Sequence, residues 1–173
     1  MKICHVITRM IVGGAQENTL YTLLGHREHG HDATLITGPS PGPEGKLLQQ
    51  CRVPDLKIIT EPNLVRPLHP IRDIAAYRSL RRLFAKEQYD IVHTHSSKAG
   101  ILGRAAAARQ KQPVVHTIHG AAFHRGQSAV TQAVYRRAER WAARRCQRLI
   151  SVCDAMTDQY VAAGIAPREL FTT

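Results

Sequence analysis

Short apolar runs alternate along the chain with longer segments whose apolar residues recur at helical spacing. Each run suits a strand that is buried on both faces of a parallel sheet. We predict six such strands: Ile3 to Ile7, His31 to Thr37, Leu56 to Thr60, Asp90 to Thr94, Pro113 to Ile118 and Arg148 to Val152. This alternation is typical of an α/β fold.

The segments between the strands predict helices. We expect them at Ala15 to Glu28, Lys46 to Cys51 (one short turn), about Ile74 to Phe84, Lys98 to Gln110, Ala129 to Arg145 and Asp154 to Ala163. The stretch GPSPGPEG, from Gly38 to Gly45, carries so many helix and strand breakers that it predicts a loop. Parallel neighbours need right-handed crossovers, so helices should cover both faces. We therefore expect a Rossmann-like, doubly wound parallel sheet of about six or more strands.

The expected strand order, 3-2-1-4-5-6, predicts where a ligand would bind. In this order the direction of winding reverses between the first and fourth strands, and the carboxyl ends of the first, fourth and fifth strands meet at one crevice. Those three ends carry Gly13-Gly14, His95-Ser96-Ser97-Lys98 and His119-Gly120. The crevice is the candidate site.

Two adjacent glycines, Gly13 and Gly14, separate the first strand from the first helix. Glycine permits positive φ and has no Cβ, so a ligand can approach the backbone closely. The free amides at a helix start attract negative charge. The spacing lacks the full G-x-G-x-x-G signature, so the residues fit either an anion site or a tight turn without a ligand.

Histidines and one lysine are the candidate chemical groups at the other strand ends. His95 and His119 lie where strands end, and either could donate a hydrogen bond or act as an acid or base. Lys98, at a helix start, fits a phosphate or carboxylate contact and equally a solvated lysine. His93 and His116 extend this set towards a metal cluster, but no carboxylate stands near to orient it. We therefore predict no metal site, with both as buried, hydrogen-bonded histidines.

The chain is strongly basic, with a net charge of +11 and a pI near 10.1, which favours an acidic partner. No segment interleaves aromatic and basic residues, so we predict no nucleic-acid partner. One predicted helix is the main source of the charge, and its basic residues fit either a solvated face or contact with anionic lipids. This face consists of Arg137, Arg140, Arg144 and Arg148, opposite Val134, Ala138 and Trp141.

Cellular location is inferred from what the sequence lacks. The four cysteines show no C-x-x-C spacing, which argues against a zinc ribbon or disulfide framework. The first residues, MKICHVITRM, lack the apolar stretch of a signal peptide, and no later run is long enough for a membrane span. We predict a cytoplasmic protein, with a peripheral position on the inner face of the membrane as the alternative.

Together these motifs resemble the amino-terminal domain of family 4 glycosyltransferases, which have the GT-B fold. The matching stretches follow family order: ITRMIVGGAQENTL, GPSPGPEG, DIVHTHSSKAGILGR, VVHTIHG, YRRAERWAARRC with LISVCDA, and VAAGIAPREL. The resemblance implies that residues 1–173 form a single Rossmann-like domain, one half of a GT-B fold, and that the carboxyl-terminal donor-binding domain is absent from this chain. It also implies that the isolated domain is inactive.

The activity implied by the resemblance is that of a retaining glycosyltransferase, more narrowly a hexosyltransferase. It would move a sugar from a nucleotide-sugar donor, held mostly by the missing domain, to a glycan or lipid-linked acceptor in polysaccharide or lipid-linked glycan biosynthesis. Backbone amides at a glycine turn would stabilise the charge of the leaving diphosphate, so no metal or other cofactor is expected.

The resemblance also assigns roles to residues. Gly13 and Gly14 resemble the glycine turn that approaches the donor diphosphate, and His119 resembles the histidine beside the reacting sugar, the catalytic candidate. Ser151 and Asp154 resemble a serine and acid signal after the sixth strand, although Cys153 stands where serine is common. The substrate-binding candidates are His95, Lys98, Gly120, Arg125, Ser151 and Asp154.

Two other functions stay open on the sequence. One is a non-catalytic basic α/β module that binds an anionic membrane or polymer through the arginine helix. The other is a sugar-nucleotide epimerase of the GT-B type, which would turn over its substrate without any acceptor.

Overall fold

A computed structural model describes residues 1–40, 47–51, 55–124 and 126–173 of the chain. Its strands are β1 (Lys2–Ile7), β2 (Asp32–Thr37), β3 (Lys57–Thr60), β4 (Ile91–His95), β5 (Val114–Ile118), β6 (Arg148–Ser151) and β7 (Phe171–Thr172). Its α-helices are α1 (Gly14–Glu28), α2 (Leu47–Gln50), α3 (Pro70–Glu87), α4 (Ser97–Arg109), α5 (Ala129–Ala143) and α6 (Asp154–Ala162). A 3₁₀ turn at Arg168–Leu170 precedes β7.

The strands form one parallel sheet in the order β3-β2-β1-β4-β5-β6-β7. This confirms the predicted order of the first six strands and the Rossmann-like α/β fold. The sequence did not predict β7, which has two residues and pairs only with β6. Most of the predicted loop from Gly38 to Gly45 lies outside the described residues.

Helices pack on both faces of the sheet. On one face, α3 and α4 bury Leu80, Phe84 and Ala106 against Cys4 and Val6 of β1. On the other face, the core contains Leu20 and Leu23 of α1, Leu47 of α2, and Ile7, Ala33 and Leu35 of the strands. Successive strand residues point to opposite faces, so β1 serves both cores. The doubly wound arrangement is thus confirmed.

Helix α3 begins where Pro70 takes the first helical position, which suits its fixed φ and missing amide hydrogen. The His69 side chain caps the helix by accepting from the Arg72 amide. Ala76, Leu80 and Phe84 recur every fourth residue and form the buried stripe. The core-facing stripe therefore does not include Ile74, which was predicted to belong to it and is 52% exposed.

The arginine-rich helix is oriented differently from the prediction. Its buried residues are Glu139, Ala142 and Ala143, whereas Val134 and Trp141 are exposed, so the predicted apolar face was wrong. Arg148 was wrongly placed on this helix, because it begins β6. The side chain of Glu139 points into the protein because its carboxylate pairs with a buried cation on α4. No described helix combines the length and apolarity needed to cross a bilayer.

That cation is Arg104, and the pair ties α4 to α5 beneath the sheet edge. Its Nη2 lies 2.8 Å from Oε2 of Glu139, with side-chain exposures of 0% and 2%. Arg104 Nε also donates to the Gly100 carbonyl at 2.9 Å. A buried charge without a partner would be costly, so α4 and α5 depend on one another for their positions.

Candidate functional site

The candidate site lies at the carboxyl edge of the sheet, where β1, β4 and β5 are adjacent. This adjacency confirms the predicted crevice. A cavity of about 290 Å³ is lined there by Ala15, Ser96, Thr117, His119, Gly120 and Glu139, among others. A second, of about 470 Å³, is lined by Thr8, Arg9, Gln16, Arg66, Ser97 and Lys98, among others. Residues distant in sequence thus share one rim.

The glycine turn leaves space rather than adopting an unusual backbone conformation. Gly13 has a φ of 166°, which is extended backbone, so this turn does not use the positive φ that glycine permits. Its carbonyl accepts from the amides of Gln16 and Glu17 at 3.0 and 2.9 Å. A Cβ added at Gly14 would meet nothing within 4 Å. The start of α1 is therefore open to a ligand, and Ala15 lines the same cavity as His119.

The start of α4 is capped by Thr8, which directly follows β1, and not by its own serines. The Thr8 hydroxyl accepts from the Ala99 amide at 3.2 Å and shares a 2.8 Å hydrogen bond with the Ser96 hydroxyl. Thr8 thus supplies the cap, although two serines, Ser96 and Ser97, stand at the start of the helix. Ser96 has a φ of 59°, a strained conformation for a residue other than glycine. The strain lies at the crevice, where such conformations are common in functional sites.

His119 follows β5 and is half-buried at the rim of the crevice. Burial lowers the pKa of its imidazole from the ordinary 6.5, so the ring is neutral near pH 7. Its Nε2 lies 3.1 Å from Nδ1 of His95. Its other nitrogen, Nδ1, has no hydrogen-bond partner among the residues that the structure describes. One ring nitrogen is therefore held by the protein and the other is available to a ligand.

His95 does not reach the crevice surface. The sequence placed it among the direct substrate contacts, but it is 0% exposed and lies behind His119. It is a second-layer residue that bonds to His119 and His5 at 3.1 Å each.

The histidines that could hold a metal differ from those considered on the sequence. Ligand atoms of His5, His93 and His95, all buried, lie within 4.8 Å of one another. His116 instead bonds to Thr94 at 2.9 Å, and His93 bonds to Thr117 at 2.7 Å. Both are buried and hydrogen-bonded, as predicted.

Lys98 lies at the crevice, but its ammonium is already partnered. Nζ is 2.6 Å from Oδ1 of Asp73, with side-chain exposures of 10% and 21%. It also donates to the Pro67 carbonyl. Lys98 therefore joins the starts of α3 and α4, and its charge is partly neutralised before any anion arrives.

The other candidates lie at different places. Gly120 is beside His119 and has open space at its Cβ position. Ser151 is buried and bonds to Thr157 and Thr173 at 2.5 and 3.2 Å, so it stabilises the start of α6. Asp154 is the exposed first residue of α6. Neither Ser151 nor Asp154 lines the two crevice cavities, and Arg125 lies outside the described residues.

An apolar groove of about 620 Å³ adjoins the larger crevice cavity. Ile74, Tyr77 and Trp141 line it together with Arg109 and Arg145, whose guanidinium stacks 3.6 Å from the Trp141 ring centroid. The groove shares three lining residues with the 470 Å³ cavity: Asp73, Ile101 and Leu102. The crevice and the groove therefore adjoin one another.

Comparison with known proteins identifies relatives of this chain. The model of a family described as "Glycosyl transferase 4-like domain" matches residues 13–172. UDP-Gal:alpha-D-GlcNAc-diphosphoundecaprenol alpha-1,3-galactosyltransferase of Escherichia coli is 39% identical over 153 residues, which cover 87% of this chain and 38% of that protein.

Solved structures show the same fold at low identity. UDP-GlcNAc 2-epimerase from Methanocaldococcus jannaschii, in complex with UDP-GlcNAc and UDP, gives a TM-score of 0.75 at 14% identity and covers 100% of this chain and 46% of that one. Anabaena HepE in complex with UDP-glucose gives 0.70 at 20% identity, covering 99% and 43%. The chain thus spans less than half the length of each of these three proteins.

Proposed function

Because the chain belongs to the glycosyl transferase 4-like family, we propose that the protein is a retaining glycosyltransferase that transfers a hexose from a nucleotide sugar to an acceptor. The observation that carries this proposal is the shared rim, where the open start of α1 and the neutral imidazole of His119 line one cavity. In this proposal the donor diphosphate lies at the first element and the reacting sugar at the second, as the family resemblance implies.

The reaction breaks the bond between the sugar's anomeric carbon and the diphosphate oxygen and forms one to the acceptor oxygen. Negative charge accumulates on the leaving diphosphate, and the preorganised amides at the start of α1 stabilise that charge. His119, whose Nδ1 is free for the reacting groups, lies beside the donor sugar and helps place its anomeric carbon against the acceptor hydroxyl. These groups need no metal ion. In this proposal a second domain, outside this chain, holds most of the nucleotide.

The proposed acceptor is a lipid-linked glycan. The Escherichia coli relative is named for an acceptor linked to diphosphoundecaprenol. Here the groove offers apolar side chains for a prenyl chain, and Arg109 and Arg145 offer cations for its diphosphate. This groove adjoins the crevice, so in this proposal the lipid lies in the groove and its sugar extends towards His119.

Replacing His119 with alanine should lower transfer by about 100-fold, the usual effect of removing one preorganised hydrogen-bonding group from an active site. The assay uses the full-length protein. It measures nucleoside diphosphate release from a panel of nucleotide sugars, beginning with UDP-sugars. Exposed His124, replaced in the same way, serves as the control and should leave the rate unchanged.

Two results would contradict the proposed transfer. Wild-type turnover in the folded His119→Ala variant would remove the catalytic role. Interconversion of a nucleotide sugar without any acceptor would instead support an epimerase.

We also propose that the protein binds the inner face of the membrane from the cytoplasm. The exposed side of α5 carries Val130, Val134 and Trp141 beside Arg137 and Arg144, a composition typical of helices that lie in the lipid interface. Arg140 differs, because it donates to the carbonyls of Ala163 and Gly164. It therefore has a structural task as well.

Replacing Arg137 and Arg144 of this face, together with exposed Arg148 at the start of β6, with glutamine should weaken binding to anionic vesicles by about 1 kcal/mol for each charge. The measurement is sedimentation with phosphatidylglycerol vesicles at low salt, and neutral phosphatidylcholine vesicles should bind the wild type poorly. Neutralising three arginines on α3, Arg78, Arg81 and Arg82, is the matched control. Equal losses in both triple variants would show that only net charge matters and would contradict the assigned face.

A further inference from the structure

Four imidazoles form a continuous hydrogen-bonded line from the last turn of α1 to the crevice. Nδ1 of His26 lies 3.0 Å from Nε2 of His5, and Nδ1 of His5 lies 3.1 Å from Nε2 of His95. Nδ1 of His95 then lies 3.1 Å from Nε2 of His119. His26 is half-buried at the outer end, while His5 and His95 are 0% exposed. The line thus crosses the interior of the domain.

The ring geometry is that of hydrogen bonds in series. The ring centroids of His5 and His95 are 5.3 Å apart at an interplanar angle of 15°, and those of His95 and His119 are 5.4 Å apart at 25°. Each centroid separation exceeds its nitrogen separation by about two ring radii, so the bonded nitrogens lie on the line between the rings. Such alignment is what an N–H donor and a ring-nitrogen acceptor require.

The neighbouring histidine lies beside this line and not in it. The ring of His93 is 4.9 Å from that of His5 and 4.2 Å from that of His95, but its Nε2 bonds to the Thr117 hydroxyl at 2.7 Å. The line therefore has four members and one packed neighbour.

Each ring in the line is neutral, because burial lowers the pKa of all four imidazoles. A neutral imidazole carries one N–H and one bare nitrogen. Every bond in the line needs one donor and one acceptor, so fixing the hydrogen on one ring fixes it on all of them. Only two arrangements keep every bond, and they point in opposite directions.

The two arrangements differ at the crevice. In the inward arrangement each Nδ1 donates to the next Nε2, and His119 carries its hydrogen on Nδ1. In the outward arrangement each Nε2 donates, His26 carries its free N–H towards the surface, and Nδ1 of His119 is bare. Conversion from outward to inward takes one proton at Nδ1 of His119 and releases one from Nε2 of His26.

We propose that this line is a proton relay between the crevice and the surface. The acceptor hydroxyl loses a proton when its oxygen bonds to the sugar, and the relay receives that proton at Nδ1 of His119 while His26 releases one to water. His95, His5 and His26 are then positioning residues, since they determine which nitrogen of His119 carries hydrogen. The role in transfer rests on the proposed function, whereas the coupling between the two ends can be measured without any reaction.

The test uses opposite substitutions at the outer end. A carboxylate only accepts, so His26→Glu should hold the outward arrangement and leave Nδ1 of His119 bare. An ammonium only donates, so His26→Lys should hold the inward arrangement and place hydrogen on that nitrogen. Nitrogen-15 NMR of the histidine rings should show the tautomer ratio of His119 shifted about tenfold in opposite directions, as expected for a hydrogen bond to a charged group.

A matched pair separates the relay from simple electrostatics. His31 lies 6.1 Å from His26, centroid to centroid, but bonds to none of the four rings. His31→Glu and His31→Lys therefore make the same charge changes nearby and should leave the tautomer of His119 unchanged. In a His5→Phe background, the two substitutions at position 26 should lose their effect on His119.

Three results would overturn the relay. The first is the same His119 tautomer in His26→Glu and His26→Lys, both shown to be folded by their NMR spectra. The second is an equal response to the substitutions at His31. The third is stoichiometric Zn²⁺ binding through Nδ1 of His5 and Nε2 of His95, since a metal would occupy the nitrogens that the relay needs. Opposite tautomers in a protein that transfers no sugar would leave the relay intact and contradict the proposed function alone.

Discussion

Lowering the pH from about 6.5 to about 4 is expected to unfold the protein, because its core contains histidines that are neutral only while they stay buried. His5, His93, His95 and His116 are each 5% exposed or less. Burial is the main cause that lowers the pKa of each from the ordinary 6.5, to about 3 for His93 and well below 6.5 for the others.

The direction of the stability change with pH follows from proton binding. Below pH 6.5 the unfolded chain takes up protons at these histidines and the folded chain does not, so stability falls as the pH falls. Each histidine contributes about 1.4 kcal/mol per pH unit, and four together contribute about 5.5 kcal/mol per unit, against a typical total of about 5–15 kcal/mol. Glu87, whose pKa is lowered from 4.5 to about 2 by hydrogen bonds from Lys2 and Lys57, adds to this loss only below pH 4.5.

Urea denaturation followed by circular dichroism at several pH values measures this slope. We expect His93→Gln to reduce the slope by one histidine's share, although the variant is less stable at pH 7. Replacing exposed His124 in the same way should leave the slope unchanged. A stability that stays constant between pH 6.5 and 4.5 would mean that the buried imidazoles are protonated in place, which would contradict a closed histidine core.

Replacing Glu139 with alanine is expected to lower the free energy of unfolding by about 3–5 kcal/mol. The substitution leaves the Arg104 guanidinium buried without its carboxylate, and Nη1 of that side chain has no hydrogen-bond partner among the described residues. The positive charge of Arg104 also lies near His116, where it adds to burial in lowering the pKa of that imidazole. Two helices and the floor of the 290 Å³ cavity therefore depend on one carboxylate.

Urea denaturation at pH 7 tests this prediction. The matched control is Asp158→Ala, which breaks an ion pair with Arg168 whose side chains are 62% and 58% exposed. That loss should be about 1 kcal/mol or less, because water screens an exposed pair. Removing both buried charges, by Arg104→Met with Glu139→Leu, should recover much of the stability. A Glu139→Ala variant as stable as the control would show that the pair is hydrated.

The sequence predicted the architecture because strand residues buried on both faces leave continuous apolar runs. The order of six strands was expected because it is the common one for doubly wound sheets. The sequence did not predict β7, because a strand of two residues is too short to show a hydrophobic pattern. It also misplaced the buried side of α5, because an inward Glu139 contradicts hydrophobic patterning and becomes reasonable only once Arg104 is known to lie opposite.

The sequence predicted which strand ends form the site, but it did not predict which side chains pair with one another there. The positions of Gly14 and His119 follow from the strand order alone. The pairing of Lys98 with Asp73 depends on how α3 meets α4, which no local pattern encodes. His5 was missed although it stands in the first strand directly opposite His93 in the register. The adjacency of β1 and β4 could have revealed it, since two histidines on neighbouring strands then share a face.

The nucleotide-sugar donor is expected to bind against the open start of α1, opposite His119. Gly14→Leu and Gly25→Leu compare two helical glycines of α1, each with nothing within 4 Å of an added Cβ, but only Gly14 adjoins Ala15, which lines the 290 Å³ cavity. Both substitutions should preserve or slightly raise helix stability. Diphosphate release should show that Gly14→Leu abolishes sugar transfer and that Gly25→Leu retains it. Wild-type transfer by a folded Gly14→Leu variant would contradict the account.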